Sequence, residues 1–196
     1  SLVRLNDTRE HTEETDGCAV DGVEIRVVDD NRHEVPHGQE GEEASRGPQV
    51  FVGYWGEPEM TARALDADGW YYSGDYCRTD SEGRYIRITG RKKDIIVRGG
   101  ENISSREVED IVLEYPGVRE AAVVAMPDER LGERSCACVS MRPGAPAMHL
   151  TDLVAFFDGR RVAKYKFPEY LVVLDALPRT SSGKLQKFAL ARMVRE

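Results

Sequence analysis

Lys184 ends Pro178-Arg179-Thr180-Ser181-Ser182-Gly183-Lys184, a stretch bounded by proline and glycine near the end of a 196-residue chain. A lysine ammonium is a compact point charge. Held between two anions, it can neutralise charge as that charge builds up in a transition state. An exposed lysine in a Ser-Ser-Gly turn has the same sequence, so local chemistry leaves both readings open. Asp75 closes Tyr71-Tyr72-Ser73-Gly74-Asp75. A carboxylate freed by a neighbouring glycine can accept two hydrogen bonds from a vicinal diol, and it can equally cap a turn. Arg91, within Gly90-Arg91-Lys92-Lys93-Asp94, offers cationic donors, and Ile88 offers an apolar surface. Gly99-Gly100 allow backbone angles that a Cβ resists, so a ligand can approach the main chain there; a plain turn is the commoner use of such a pair. Lys164 and Lys166 can meet phosphates, with a solvated surface as the equal competitor.

These residues need elements to hold them, and the densest run is Ile88 to Asp110, ITGRKKDIIVRGGENISSREVED. Asp94 to Val97 is short and apolar and predicts a strand. The glycine pair then leads toward Ser104-Ser105-Arg106-Glu107, whose Ser-x-x-Glu spacing lets Ser104 and Glu107 satisfy each other's backbone amides at a helix start. Val108, Ile111, Val112 and Tyr115 follow at helical spacing, giving one apolar face.

Upstream, Ser1 to Asp16 shows neither period and predicts a loop. Gly22 to Asp30 alternates as a half-buried strand entering a hairpin, and Pro48 to Tyr54 predicts a second strand. Pro58 to Leu65 predicts a short helix opened by proline, and Gly69 to Tyr72 a strand ending at Asp75. Asp80 to Gly83 predicts a hairpin turn before a return strand, Arg84 to Thr89. Short strands with glycine turns predict a small barrel-like or sandwich-like subdomain. Polar Glu42-Glu43-Ala44 stands where an apolar strand is expected, leaving the pairing near Arg46 open. Downstream, Ala121 to Met126 is apolar enough to predict a strand inside a sheet, paired with Ser135 to Met141. Thr151 is expected to cap a helix that turns Leu153, Val154, Phe156 and Phe157 inward. Leu171 to Leu174 predicts a strand and Leu185 to Val194 an amphipathic helix. Composition turns charged between Thr89 and Asp94, which places a domain boundary there, 1–92 and 93–196. The fold class expected is α+β: a β-rich subdomain followed by a compact α+β domain.

With 40% hydrophobic residues the chain can bury a core. It has no run of the roughly 18 apolar residues a membrane span needs, and no signal-peptide pattern, so a cytoplasmic setting is expected. Cys18, Cys77, Cys136 and Cys138 show neither zinc-site spacing nor a Cys-x-x-Cys pair, and predict buried reduced thiols, without a metal. A net charge of −8 argues against nucleic acid as a bulk partner. Yet residues 160–196 hold nine Lys/Arg against three Asp/Glu, +6, which leaves −14 for the rest. A basic end on an acidic chain fits a local anionic ligand or a solvated face.

Taken in order and separation, the Tyr-Tyr-Ser-Gly-Asp, Gly-Arg-Lys-Lys-Asp, Gly-Gly-Glu-Asn-Ile-Ser and Pro-Arg-Thr-Ser-Ser-Gly-Lys segments closely resemble the C-terminal part of the adenylate-forming superfamily. The likeness is strongest to acyl-CoA synthetases acting on fatty or other carboxylic acids. That resemblance implies two half-reactions: acid plus ATP gives acyl-adenylate and pyrophosphate, then CoA displaces AMP. It implies that Asp75 holds the nucleotide ribose, helped by Arg91 with Ile88 beside the nucleotide, and that Ser73 keeps a hydroxyl where the family more often has threonine. Lys184 is implied as the lysine of adenylate formation and Lys93 as the hinge about which a small C-terminal lid domain rotates. Gly99, Gly100, Glu101 and Asn102 are implied to shape a passage for CoA, with Lys164 and Lys166 toward its phosphates. ATP is the implied cofactor, with Mg2+ held largely by residues upstream of this chain, and CoA the co-substrate. The family's Ser/Thr/Gly-rich phosphate loop is not among these residues, so these residues alone are expected to be inactive. Lysine acetyltransferases and deacetylases acting on Lys184 are further implied partners, and a homo-oligomer is compatible with the resemblance. Two alternatives stand beside it: an adenylation domain feeding a carrier protein, and a non-catalytic binding or regulatory module.

Overall fold

The computed structural model describes residues 1–195. The chain divides into two compact units, Ser1–Lys93 and Asp94–Glu196. Mixed sheets and helices make it α+β, as expected.

The first unit holds a single antiparallel sheet with strand order β1-β2-β3-β4, built from Glu24–Val28, Gly41–Arg46, Tyr71–Thr79 and Ile86–Arg91. Among the described residues this is a four-stranded meander, in place of the barrel or sandwich expected. Two short helices accompany it, α1 (Arg9–Glu14) before β1 and α2 (Pro58–Ala64) between β2 and β3. The first replaces an expected loop; the Thr8 hydroxyl accepts from the His11 amide at 3.2 Å and starts it. The larger correction concerns β2. It runs through the polar Gly41–Arg46, while 48–54 is irregular. The reason is burial at Gly41 and Ala44: Ala44 is fully buried against Val28, Trp70 and Tyr72. The two glutamates are accommodated within the sheet, and burial pushes the Glu43 carboxyl upward despite its hydrogen bond with Ser73. Gly47, at φ 153°, and Pro48 then end the ladder.

The second unit opens with β5 (Ile95–Arg98) and β6 (Glu101–Ser104), an antiparallel hairpin pairing Arg98 with Glu101. The glycine pair therefore leads into a strand first, a four-residue element that the sequence hides because Ile103 is its one apolar residue. Next come α3 (Ser105–Leu113), β7 (Val118–Asp128), β8 (Gly132–Met141), α4 (Leu150–Asp158), β9 (Tyr170–Val173) and α5 (Lys187–Met193). The strand path is β6-β5-β8-β7, with β9 parallel to β8. Among the described residues strand β7 thus pairs on one side, not on both as its apolar run suggests. Its two faces explain the run. Val123 enters the core formed with α3 and α4, while Ala122 and Val124 enter a second core that includes Leu177 and Leu190. At α3 the Ser104 hydroxyl accepts from the Glu107 amide at 3.4 Å. Helix α4 is capped at His149 rather than Thr151: the His149 amide donates to Asp152 at 3.0 Å, and Val154 stays exposed. The four cysteines are free and buried, and burial pushes the Cys77 thiol up to about 12. Among the described residues, no helix is long and apolar enough to cross a membrane.

Candidate functional site

In the first unit, β3 does not end at Asp75 but passes through it to Thr79. The irregularity lies in the pairing: Glu42 faces Tyr76 and Ala44 faces Tyr72, so Ser73, Gly74 and Asp75 bulge opposite a single β2 residue. Gly74 sits at φ 74°, where a Cβ would meet strain but no neighbour. Three hydrogen bonds fix the bulge. Gly74 N donates to Glu42 Oε1 at 3.0 Å, Asp75 N donates to Ser73 Oγ at 3.1 Å, and Ser73 Oγ donates to the Glu43 carbonyl at 3.0 Å. The Asp75 side chain is left free to turn outward, 30% exposed, with its carboxylate 2.9 Å from Arg91 Nε on the adjacent strand. An exposed pair of this kind is worth about 0–1 kcal/mol, so a ligand able to bond the carboxylate can compete for it. Ile88, also exposed, lies opposite Cys77 and hangs from Asp16, whose carboxylate accepts its amide at 2.7 Å. Asp75 and Arg91 are therefore brought together. Glu42 and Asp16, which shape the strands beside them, carry no sequence signal because their partners lie 32 and 72 positions away.

Lys93 is exposed in a single turn, Lys92–Asp94, at the end of the first unit. Its neighbour behaves differently. Lys92 Nζ lies 2.9 Å from Asp30 and 3.0 Å from Glu42. Burial pulls that ammonium's pKa down, but the two carboxylates outweigh it and raise it above the ordinary range.

In the second unit, Gly99 and Gly100 form the two-residue tip of the β5-β6 hairpin with φ of 59° and 90°, the pattern of a type I′ turn. Gly99 N donates to the Leu131 carbonyl at 2.7 Å, and a Cβ on Gly99 would lie 3.3 Å from the Leu131 side chain; one on Gly100 would meet open space. The hairpin base is braced by charges. Arg98 bonds both Glu169 oxygens at 2.8 and 3.0 Å, and Arg134 bonds Glu169 at 3.0 Å and Asp128 at 2.5 Å. Arg98 holds the Glu169 carboxyl below its usual range. Asp128 also caps the β7-β8 turn through the Arg130 and Leu131 amides. A glycine tip is thus mounted on a fixed frame.

The two candidate phosphate lysines separate. Lys166 Nζ is engaged by both Glu107 oxygens at 2.7 and 2.8 Å, whereas Lys164 is 87% exposed, with Asp158 at 3.7 Å. Glu107 therefore serves as an anchor for the 164–166 turn.

The Pro178 to Lys184 segment closes on itself. Thr180 N donates to the Lys184 carbonyl at 2.8 Å, Lys184 N donates to Thr180 Oγ1 at 3.1 Å, and Gly183 N donates to the Thr180 carbonyl at 2.9 Å. Arg179 donates to the Gly183 carbonyl at 2.6 Å and, with its other nitrogen, to Glu120 on β7. Arg179 and Ser140 together hold the Glu120 carboxyl below its usual range. The Lys184 side chain is exposed, and among the described residues no carboxylate pairs with it. Just beyond, Lys187 Nζ reaches Glu109 at 2.7 Å, Ser105 Oγ at 2.9 Å and Asp94 at 3.7 Å.

Two family models match in order along the chain: AMP-binding enzyme over residues 2–55 and AMP-binding enzyme C-terminal domain over residues 107–184. The chain is 63% identical over 192 residues to the medium-chain fatty-acid–CoA ligase of Escherichia coli (strain K12), covering 98% of this chain and 34% of that protein. It is 40% identical to the vibriobactin-specific 2,3-dihydroxybenzoate-AMP ligase of Vibrio cholerae, covering 98% of this chain and 35% of the ligase. Among solved structures, ATP-bound MatB from Rhodopseudomonas palustris superposes with a TM-score of 0.86 at 36% identity, over 93% of this chain and 36% of that one. The chain spans about a third of the length of the curated relatives it matches. With both family models matched and relatives of the same kind along nearly its whole length, the chain belongs to the adenylate-forming superfamily of AMP-binding enzymes.

Proposed function

We propose that the protein carrying this segment is an AMP-forming acyl-CoA synthetase that activates a fatty acid of medium chain length. Lys184 supports the reaction most directly: an exposed ammonium without a carboxylate partner among the described residues, on a loop whose backbone is tied on both sides. In the first half-reaction a carboxylate oxygen attacks the α-phosphorus of ATP and the bond to pyrophosphate breaks. Two anions approach each other, and Lys184 supplies the positioned positive charge between them. Asp75 accepts the ribose hydroxyls, Arg91 steadies that carboxylate from the next strand, and Ile88 contributes apolar surface. Mg2+ is expected to accompany ATP.

In the second half-reaction the CoA sulfur attacks the acyl carbon, the carbon–oxygen bond to AMP breaks and the thiol proton is lost. The hairpin tip at Gly99 and Gly100, with Glu101 and Asn102, gives a thin pantetheine arm a backbone-lined path that has no Cβ at its tip. Lys164 is the cation better placed to meet CoA phosphates, since Lys166 is occupied by Glu107. Lys93 absorbs the backbone change between the two half-reactions. Acetylation of Lys184 would remove its charge and stop the first.

The acid is inferred from the 63% identity to a medium-chain fatty-acid–CoA ligase, against 40% for the 2,3-dihydroxybenzoate-AMP ligase. The test is a product assay on the whole protein with ATP, a series of fatty acids and 2,3-dihydroxybenzoate, offering either CoA or a phosphopantetheinylated carrier protein. Acyl-CoA and AMP from medium-chain acids are expected. Preferential loading of the carrier, or activation of the aromatic acid alone, would replace this reading with that of a carrier-feeding enzyme.

A further inference from the structure

The geometry points to Arg179 as a positioning residue for adenylate formation, holding Lys184 in place through the main chain and not by touching a substrate. This rests on Lys184 acting in that half-reaction. Three observations on separate atoms lead to it. Arg179 Nη1 donates to the Gly183 carbonyl at 2.6 Å, one peptide unit before the Lys184 Cα. Its Nη2 donates to Glu120 Oε1, while Glu120 Oε2 accepts from Ser140 Oγ at 2.9 Å, so the guanidinium is referred to β7 and β8, the two strands with the longest register in the unit. Arg179 also pairs with Leu185 as an isolated bridge, and Thr180 N and Lys184 O close the next rung at 2.8 Å. The planar fork therefore spans from the sheet to the peptide that carries the catalytic lysine. A lysine at 179 could reach one of these partners but not both in fixed geometry.

The loop needs such a brace. Thr180, Ser181, Ser182 and Gly183 are small or polar, Gly183 is at φ 82°, and a Cβ there would meet nothing. No side chain of the tip packs into a core cluster. Among the described residues, what holds the tip besides Arg179 is its own turn hydrogen bonds, and a displacement of about 1 Å in a charge aimed at a transition state can cost up to roughly 100-fold in rate.

The test uses the whole enzyme and the pyrophosphate-exchange half-reaction. Arg179→Ala is expected to lower kcat roughly 10- to 100-fold, with the KM values for ATP and acid moving far less, since transition-state placement and not ground-state binding is lost. In a Lys184→Ala background the same substitution is expected to cost less than about twofold further, because it acts through a side chain no longer present. Arg179→Lys should recover part of the loss. Glu120→Gln, which retains the Gly183 bond and the fold of the strand, should give a smaller loss that also vanishes without Lys184. If Arg179→Ala is as active as the unaltered enzyme, or its effect adds in full to that of Lys184→Ala, the inference is overturned while the role of Lys184 stands. If Lys184→Ala itself leaves exchange intact, the underlying reading falls instead.

Discussion

A lysine becomes useful in catalysis when its backbone is fixed and its ammonium is not already paired, and Lys184 meets both conditions while Lys166 and Lys187 fail the second. Asp75 follows the same pattern in the opposite charge. Its strand is pinned by Glu42 and Ser73, and its carboxylate meets an exposed Arg91. Asp75→Asn should weaken ATP binding by about 1.5–3 kcal/mol, the worth of hydrogen bonds to a charged group, while leaving the melting temperature nearly unchanged. Calorimetric titration with ATP and a thermal melt check this together; unaltered ATP affinity would remove Asp75 from the nucleotide site. The motifs that hold Lys184 and Asp75 can be read in the sequence because they are local. Glu42 beside Asp75, Asp16 beneath Ile88 and Glu120 behind the Lys184 loop are not, since each acts on a residue or strand that only the fold brings near.

At the scale of elements, the sequence shows what has a period or a cap and hides what has neither. Helix α3 is readable from Ser104, Glu107 and the Val108-Ile111-Val112 face, and the β7-β8 pair from its apolar runs. Strand β2 is not, because Glu42 and Glu43 mask a ladder whose buried contacts come from Gly41 and Ala44. Strand β6 is hidden because Ile103 alone of its four residues is apolar, unlike the equally short β5 and β9. The charged frames suggest two measurements. Glu109 lies beside Lys187 with its side chain only 10% exposed; burial pushes its carboxyl upward, and Lys187 and the Val123 amide offset this only in part. Such a pair contributes little net stability but is costly to halve. Lys187→Met should destabilise the unit by about 2 kcal/mol or more, and adding Glu109→Gln, which removes the unpaired charge and keeps an acceptor for the Val123 amide, should recover most of the loss. Denaturant titration decides; equal stability of the single and double variants would refute it. Glu169 sets a pH dependence. Its folded pKa is depressed by Arg98, so its contribution is fully present above its ordinary value of 4.5 and is lost as pH falls through the lower folded value. The stability gap between the unaltered protein and Glu169→Gln should therefore close below pH 4.5, because a protonated Glu169 resembles glutamine. A gap that stays constant through acid titration would show that Arg98 does not set it.

At the scale of the whole molecule, two units each complete their own sheet and core, and the chain joins them through the exposed turn at Lys92–Asp94. Lys93→Pro restricts one backbone angle in that turn and removes its N–H. It should preserve adenylate formation while slowing thioester formation from the bound adenylate by roughly 10-fold or more, as expected when a conformational step becomes limiting. Equal losses in both half-reactions, measured by single-turnover quench, would rule out the hinge role. The most direct test of the whole account is acid-dependent ATP–pyrophosphate exchange by the intact protein and its Lys184→Ala variant, with a medium-chain fatty acid as substrate. The expected result is exchange that requires the acid and falls by about 3 kcal/mol in barrier terms, on the order of 100-fold, in the variant. Exchange that survives the substitution unchanged would contradict it.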